Sequence, residues 1–345
     1  MVVQQMVPGF LRDGLGDAQA TPTALSRSGG GGIWASAPPL IPTMDTTTAG
    51  PDLGPALAGA TRPIGYYAAY RGYDPAFLGV SVPVPVLTEE QRRNAAKNTA
   101  ADPGSDDTVL PYTHFSLVMN RSRQLAYYTV VNIDGAESIE LERADDKWYF
   151  DPRIAESEQI GEGLYRRNAL DRGHLVRRLD PVWGDRGPRA NDDTFHFTNC
   201  SPQHERFNQG QDLWQGLENF LLGHADLADQ RLTVFTGPVM ADDDPLYKGV
   251  RLPLAFWKIA VFRRPAGELA ASAYALEQAA LIHELPDLEA AFDAGMYRVT
   301  LAELGERTGL DFGYLAAHET PLDSSGLERA PTRLPIGADF ANVAL

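Results

Sequence analysis

Asp171-Arg172-Gly173-His174, followed by Asn208 and then Glu218, brings together the residue types that metal-assisted phosphodiester cleavage needs. A histidine can act as a general base near neutral pH, an amide or carboxylate oxygen suits a hard divalent cation, and arginines can surround a phosphate. His174 is the candidate base. Arg166, Arg167, Arg172, Arg177, Arg178, Arg186 and Arg189 crowd the same stretch, opposed there only by Asp171, Asp180 and Asp185, although the chain's formal net charge is -16. This local reversal of sign marks a phosphate site. The acidic balance elsewhere argues against diffuse, charge-driven coating of DNA, so binding is expected at the arginine patch and is expected to weaken with salt.

The elements around these residues read as a mixed α+β protein. Residues 1–61 are rich in Gly, Pro, Ala and Thr, include Gly29-Gly30-Gly31-Gly32, and are expected to form a flexible tail, with a single domain over 62–345 and its core over about 114–315. Thr88-Glu89-Glu90-Gln91 has the form of a capping box opening a helix to about Lys97. The runs from His114 to Met119 and from Leu125 to Val131 predict a hairpin across the polar Asn120 to Gln124. Phe195 to Thr198 reads as a short strand, and the spacing of Leu213, Trp214, Leu217, Phe220, Leu221 and Ala225 predicts a helix from Asp212 to about Leu227. Leu232 to Phe235, Phe256 to Phe262 and Leu269 to Leu276 predict further strands, and Thr300 caps a last helix that Gly309 can end.

Asp171-Arg172-Gly173-His174, the run from Asp192 to Gln203, Asn208-Gln209-Gly210, Trp214-Gln215-Gly216-Leu217-Glu218, Thr236-Gly237-Pro238 and Arg307-Thr308-Gly309-Leu310 occur in an order that resembles the DNA/RNA non-specific endonuclease family. The resemblance covers roughly His114 to Leu315. It implies a ββα-metal core on a larger sheet-and-helix body, and a magnesium-dependent endonuclease, with manganese as a substitute ion, whose substrates are DNA and RNA. It further implies His174 as general base, Asn208 as protein ligand of the metal, and Glu218 as an outer-shell acid acting on the metal through water. Asn199 matches a supporting active-site asparagine, Arg172 an arginine near the scissile phosphate, and Asp171 its structural neighbour.

Three departures from the family pattern stand out. Gln211-Asp212-Leu213 contains an insertion ahead of the helix, Leu222 stands where an arginine is usual, and the upstream catalytic arginine has no single match among Arg143, Lys147 and Arg153. Rival readings are a catalytically weak nucleic-acid-binding module, and a delivered toxic effector nuclease that would need an inhibitor protein; a homodimer is also left open.

His196 and His204 invite a zinc reading, but Cys200 is the only cysteine and no structural-zinc spacing exists, so both are expected to be structural. Asp242-Asp243-Asp244 reads as a solvated loop. One cysteine permits no intramolecular disulfide, and neither an ordinary signal peptide nor a membrane span is visible, so a cytoplasmic location and non-classical export both stay open.

Overall fold

The two apolar runs that flank the polar Asn120 to Gln124, and the three after Arg231, find their place in one large sheet. A computed structural model describes residues 60–142, 146–211, 213–227, 230–282, 295–322, 333–336 and 343. The expected tail lies outside them, apart from Ala60 and Thr61, which pair in parallel with Tyr149 and Phe150. The described residues belong to one compact unit.

The sheet's strands in chain order are β1 (Val109–Pro111), β2 (Phe115–Asn120) and β3 (Leu125–Asp134), then, beyond a separate hairpin of β4 (Leu170–His174) and β5 (Cys200–His204), β6 (Arg231–Val239), β7 (Ala255–Arg263), β8 (Leu269–Glu277), β9 (Gly295–Val299) and β10 (Arg333–Pro335). The sheet runs β10-β9-β8-β7-β6-β3-β2-β1, every neighbour antiparallel. The predicted hairpin is β2–β3, and the predicted later strands are β6, β7 and β8.

Both faces of this sheet are covered, which is why its central strands read as continuous apolar runs. Alternation along β7 sends Phe256, Ala260 and Phe262 into one core and Trp257, Ile259 and Val261 into the other. The first core is closed by α4 (Trp214–Leu227), through Trp214, Leu217, Leu221, Leu222 and Ala225. The second packs against α5 (Leu301–Thr308) through Leu301 and Leu304; Thr300 caps this helix and Gly309, at φ 67°, ends it as expected. Ahead of α4 come α1 (Glu89–Arg93), α2 (Gly187–Thr194) and α3 (Glu205–Asn208), and two further single-turn helices lie at Ala279–Ile282 and Gly313–Ala316.

Three expectations need correction. The capping box at Thr88 is present, but α1 stops at Arg93. Phe197–Asn199 is a turn of 3-10 helix, and the strand begins only at Cys200. Asp244 is not solvated: it is 2% exposed, pairs with Arg123 and accepts from the Ala241 amide. An acid at that depth persists only with such partners.

Candidate active site

The Asp-Arg-Gly-His motif is strand β4, paired with β5 so that Asp171 stands opposite Gln203, Gly173 opposite Ser201 and His174 opposite Cys200. A side chain at Gly173 would collide with Gln203, since its Cβ would lie 2.0 Å from Oε1. The hairpin therefore needs glycine inside the motif. After β5, α3 makes one turn that ends at Asn208, and α4 follows. Hairpin and helix together make the ββα unit.

A cleft of about 440 Å³ opens over this unit. Asp171, Arg172, His174, Asn208 and Glu218 all line it, joined by Trp148, Asp146, Arg177, Arg178 and Gln215. Trp148 forms a wall against both motif side chains on its side of the strand: its ring lies 4.9 Å from that of His174 and 5.5 Å from the Arg172 guanidinium. Phe195 meets the His174 ring edge-on at 5.0 Å. These contacts fix the imidazole plane. Arg172 also pairs with Glu162.

Asp171 binds the far end of the unit. One carboxylate oxygen accepts from Asn208 Nδ2 at 2.9 Å and from Gln209 Nε2 at 2.9 Å. A carboxylate can only accept, so the nitrogen side of the Asn208 amide must face Asp171. Oδ1 is thus the atom of Asn208 left for a cation.

Glu218 leaves the inward face of α4 and meets Lys258 of β7, whose Nζ lies 3.2 Å from Oε1. Lys258 is 1% exposed. Its ammonium also donates to Thr236 Oγ1 at 3.1 Å and to the Leu175 carbonyl at 3.4 Å, and stands 4.3 Å from the centre of the Trp214 ring. It ties the residue after His174 to the acid on α4. Sequence reasoning missed Lys258. The available signal was a lone cation within the apolar run from Ala255 to Phe262, because a lysine is rarely fully buried without a partner. Asp180 completes this buried group. Burial and the nearby Glu218 charge push its carboxyl up to about 7, while Arg177 and Lys258 pull the other way.

Asn199 does not line the cleft. It is fully buried, and its amide donates to the Val176 and Thr194 carbonyls and accepts from the Val176 amide, each at 3.0 Å. It clamps the chain just after His174. Arg177 and Arg178 face the cleft with Arg172, whereas Arg189 turns away to Tyr66 and Tyr70. Leu222 is buried core, and Arg177 crosses the first turns of α4 instead, donating to Asn219 Oδ1 at 2.6 Å. Of the three upstream candidates, Arg153 is buried against Asp151, Lys147 is exposed beside Trp148 and lines a neighbouring hollow, neither of the two lines the cleft, and Arg143 lies outside the described residues.

His196 and His204, the two that invite a zinc reading, have structural roles. His196 is fully buried, with Nδ1 on the Asp193 carbonyl and Nε2 on the Tyr67 hydroxyl, and burial lowers its pKa. His204 accepts from the Arg206 amide and so caps α3. Burial pushes the Cys200 thiol up to about 12, so it is not a reactive thiolate.

A histidine, an oriented amide and an acid line one cleft, built on a β-hairpin and the helix after it in a ββα arrangement. The chain belongs to the DNA/RNA non-specific endonuclease family, which matches it over residues 93–317. It is 41% identical over 292 residues to the uncharacterized protein y4fB of Sinorhizobium fredii, covering 81% of this chain and 44% of that protein. It is 28% identical over 134 residues to human mitochondrial endonuclease G, covering 35% of this chain and 43% of that one, and 25% identical over 209 residues to a nuclease of a Nostoc species, covering 60% and 73%. The chain thus spans less than half the length of the first two. A crystal structure of the EndoG/EndoGI complex aligns with a TM-score of 0.46 at 19% identity, covering 68% of this chain and 94% of that one. Among the described residues, no helix is long and apolar enough to cross a membrane.

Proposed function

We propose that this chain is a magnesium-dependent endonuclease that hydrolyses phosphodiester bonds of DNA and RNA without sequence preference. The observation that carries the reading is the convergence of His174, Asn208, Glu218 and Arg172 on one cleft, with the Asn208 amide turned by Asp171. The donor set fits magnesium. Among the described residues no group of three or more His, Cys, Asp or Glu is placed to hold a metal, which disfavours an all-protein cage. Magnesium prefers oxygen donors, keeps several waters and is commonly held by few protein groups, so Asn208 Oδ1 with Glu218 behind it suits that ion; manganese has the same taste in ligands.

His174 takes a proton from water as the water oxygen bonds to phosphorus, and the bond to the 3′ oxygen breaks. A base of this kind contributes about 10²–10⁴ in rate. Arg172 and Arg177 lie where they can stabilise the charge on the phosphate, the latter in place of the arginine that Leu222 replaces. Magnesium, when bound, neutralises developing charge on the phosphate and on the leaving oxygen. Lys258 holds Glu218 toward the cleft, and Asn199 fixes the backbone behind His174. Contacts of this kind address phosphate and carry no base information, which supports action on both nucleic acids.

The test is cleavage of supercoiled plasmid and of single-stranded RNA by the purified protein, with magnesium and with a chelator. Cleavage of both substrates that the chelator abolishes is expected. Failure to cut either substrate in magnesium overturns the reading.

A further inference from the structure

Beside the catalytic cleft lies a smaller hollow, of about 150 Å³, that the proposed chemistry does not use. Its cations are Arg62, Lys147 and Arg178, against a single acid, Asp192. We propose that it is a second phosphate subsite, holding the phosphate next to the scissile one in a bound nucleic-acid strand. This rests on the nuclease reading.

The parallel pairing of Ala60–Thr61 with Tyr149–Phe150 lays Arg62 over the Tyr149 ring, its guanidinium carbon 4.0 Å from the centre. Lys147 Nζ approaches the same ring at 5.4 Å. Two cations thus approach one aromatic ring and line the same hollow, and among the described residues no ion pair neutralises either of them. Arg62 Nε is moreover a buried donor that makes no hydrogen bond. Leaving such a donor unsatisfied is costly, and an incoming anion relieves that cost along with the repulsion between the two cations. Arg178 is held in place by Asn191 Oδ1 at 3.1 Å and lines both the hollow and the catalytic cleft. Phe195 walls the hollow and also packs on the His174 ring. The two spaces are therefore adjacent, and a strand that places one phosphate at His174 has its neighbour within reach of these cations. The hollow is well below the roughly 300 Å³ at which pockets begin to take whole drug-sized molecules, which suits a phosphate better than a nucleoside.

The experiment compares wild type with the double variant Arg62→Gln/Lys147→Gln. Binding of a fluorescent single-stranded 12-mer is measured in chelator across a salt series, alongside magnesium-dependent turnover of a nucleotide p-nitrophenyl diester, which has no second phosphate. The expected result is a loss of 12-mer affinity of about 10-fold and a log-log salt slope shallower by about one, with turnover of the small diester unchanged. The charge-keeping pair Arg62→Lys/Lys147→Arg is expected to restore binding. Unchanged 12-mer affinity and slope overturn the subsite, as does a double variant that loses only binding of inorganic phosphate, which would make the hollow a free-anion site. A wild type that binds the 12-mer through these cations but cuts neither substrate overturns the nuclease reading and leaves the phosphate contact standing.

Discussion

Asn208 Nδ2 donates to Asp171 Oδ2 at 2.9 Å, joining the turn before α4 to the strand that carries His174. The bond fixes which atom of the amide is available to a cation, and Asp171 is not itself among the ligands proposed for the metal. Partners of this kind typically change metal affinity by about 10- to 100-fold. Asp171→Asn is therefore expected to raise the magnesium concentration for half-maximal cleavage by about 10-fold or more, with folding retained. The check is a magnesium titration beside direct manganese binding followed by electron paramagnetic resonance.

Lys258 and Glu218 form a buried ion pair, and removing one member of such a pair costs about 3–5 kcal/mol because the other charge is left uncompensated. Lys258→Met is expected to lower stability by that order in urea unfolding. Adding Glu218→Gln is expected to recover much of the stability and none of the cleavage activity.

Asn199→Ala removes an amide that serves three backbone groups, each of which costs about 1–3 kcal/mol when orphaned in a buried setting. A marked drop in melting temperature is expected. Cleavage is expected to fall in kcat, since the chain after His174 loosens, while the magnesium midpoint stays near wild type. A large shift of that midpoint would instead place Asn199 at the cation.

Asp180 gives a pH dependence with a definite sign. Burial raises its carboxyl to about 7 in the folded protein, against roughly 3.9 unfolded. The folded state therefore holds the proton more tightly, so this group's contribution is fully present below about pH 4 and is lost as pH rises through about 7. Arg177, Lys258 and Glu218 are the charges that act on it. Melting temperatures of wild type and Asp180→Asn between pH 5 and pH 8 are expected to diverge, with the wild type losing more stability toward pH 8. Parallel curves would contradict a raised carboxyl.

The elements easiest to read from sequence were those whose apolar periodicity matches their burial: the β2–β3 hairpin, the strands after Arg231, and α4. Strand β4 carried no such signal, because Leu170-Asp171-Arg172-Gly173-His174 is polar, contains a glycine, and becomes a strand only by pairing with β5. Phe195 to Thr198 has the apolar alternation of a strand, yet the backbone turns there so that Asn199 can clamp residues 175 and 176. The residues that gather at the cleft were legible as a motif in order. Lys258 was not, because its meaning depends on which face of β7 lies beneath α4, and only the assembled sheet supplies that.

The most direct test of the account is plasmid cleavage as a function of magnesium for wild type, His174→Ala and Asn208→Ala. A base and a metal holder fail in different ways: His174→Ala is expected to lose about 10²-fold or more in kcat at an unchanged magnesium midpoint, and Asn208→Ala to shift that midpoint upward. Cleavage by the wild type that survives chelation, or variants that cut as the wild type does, would contradict it.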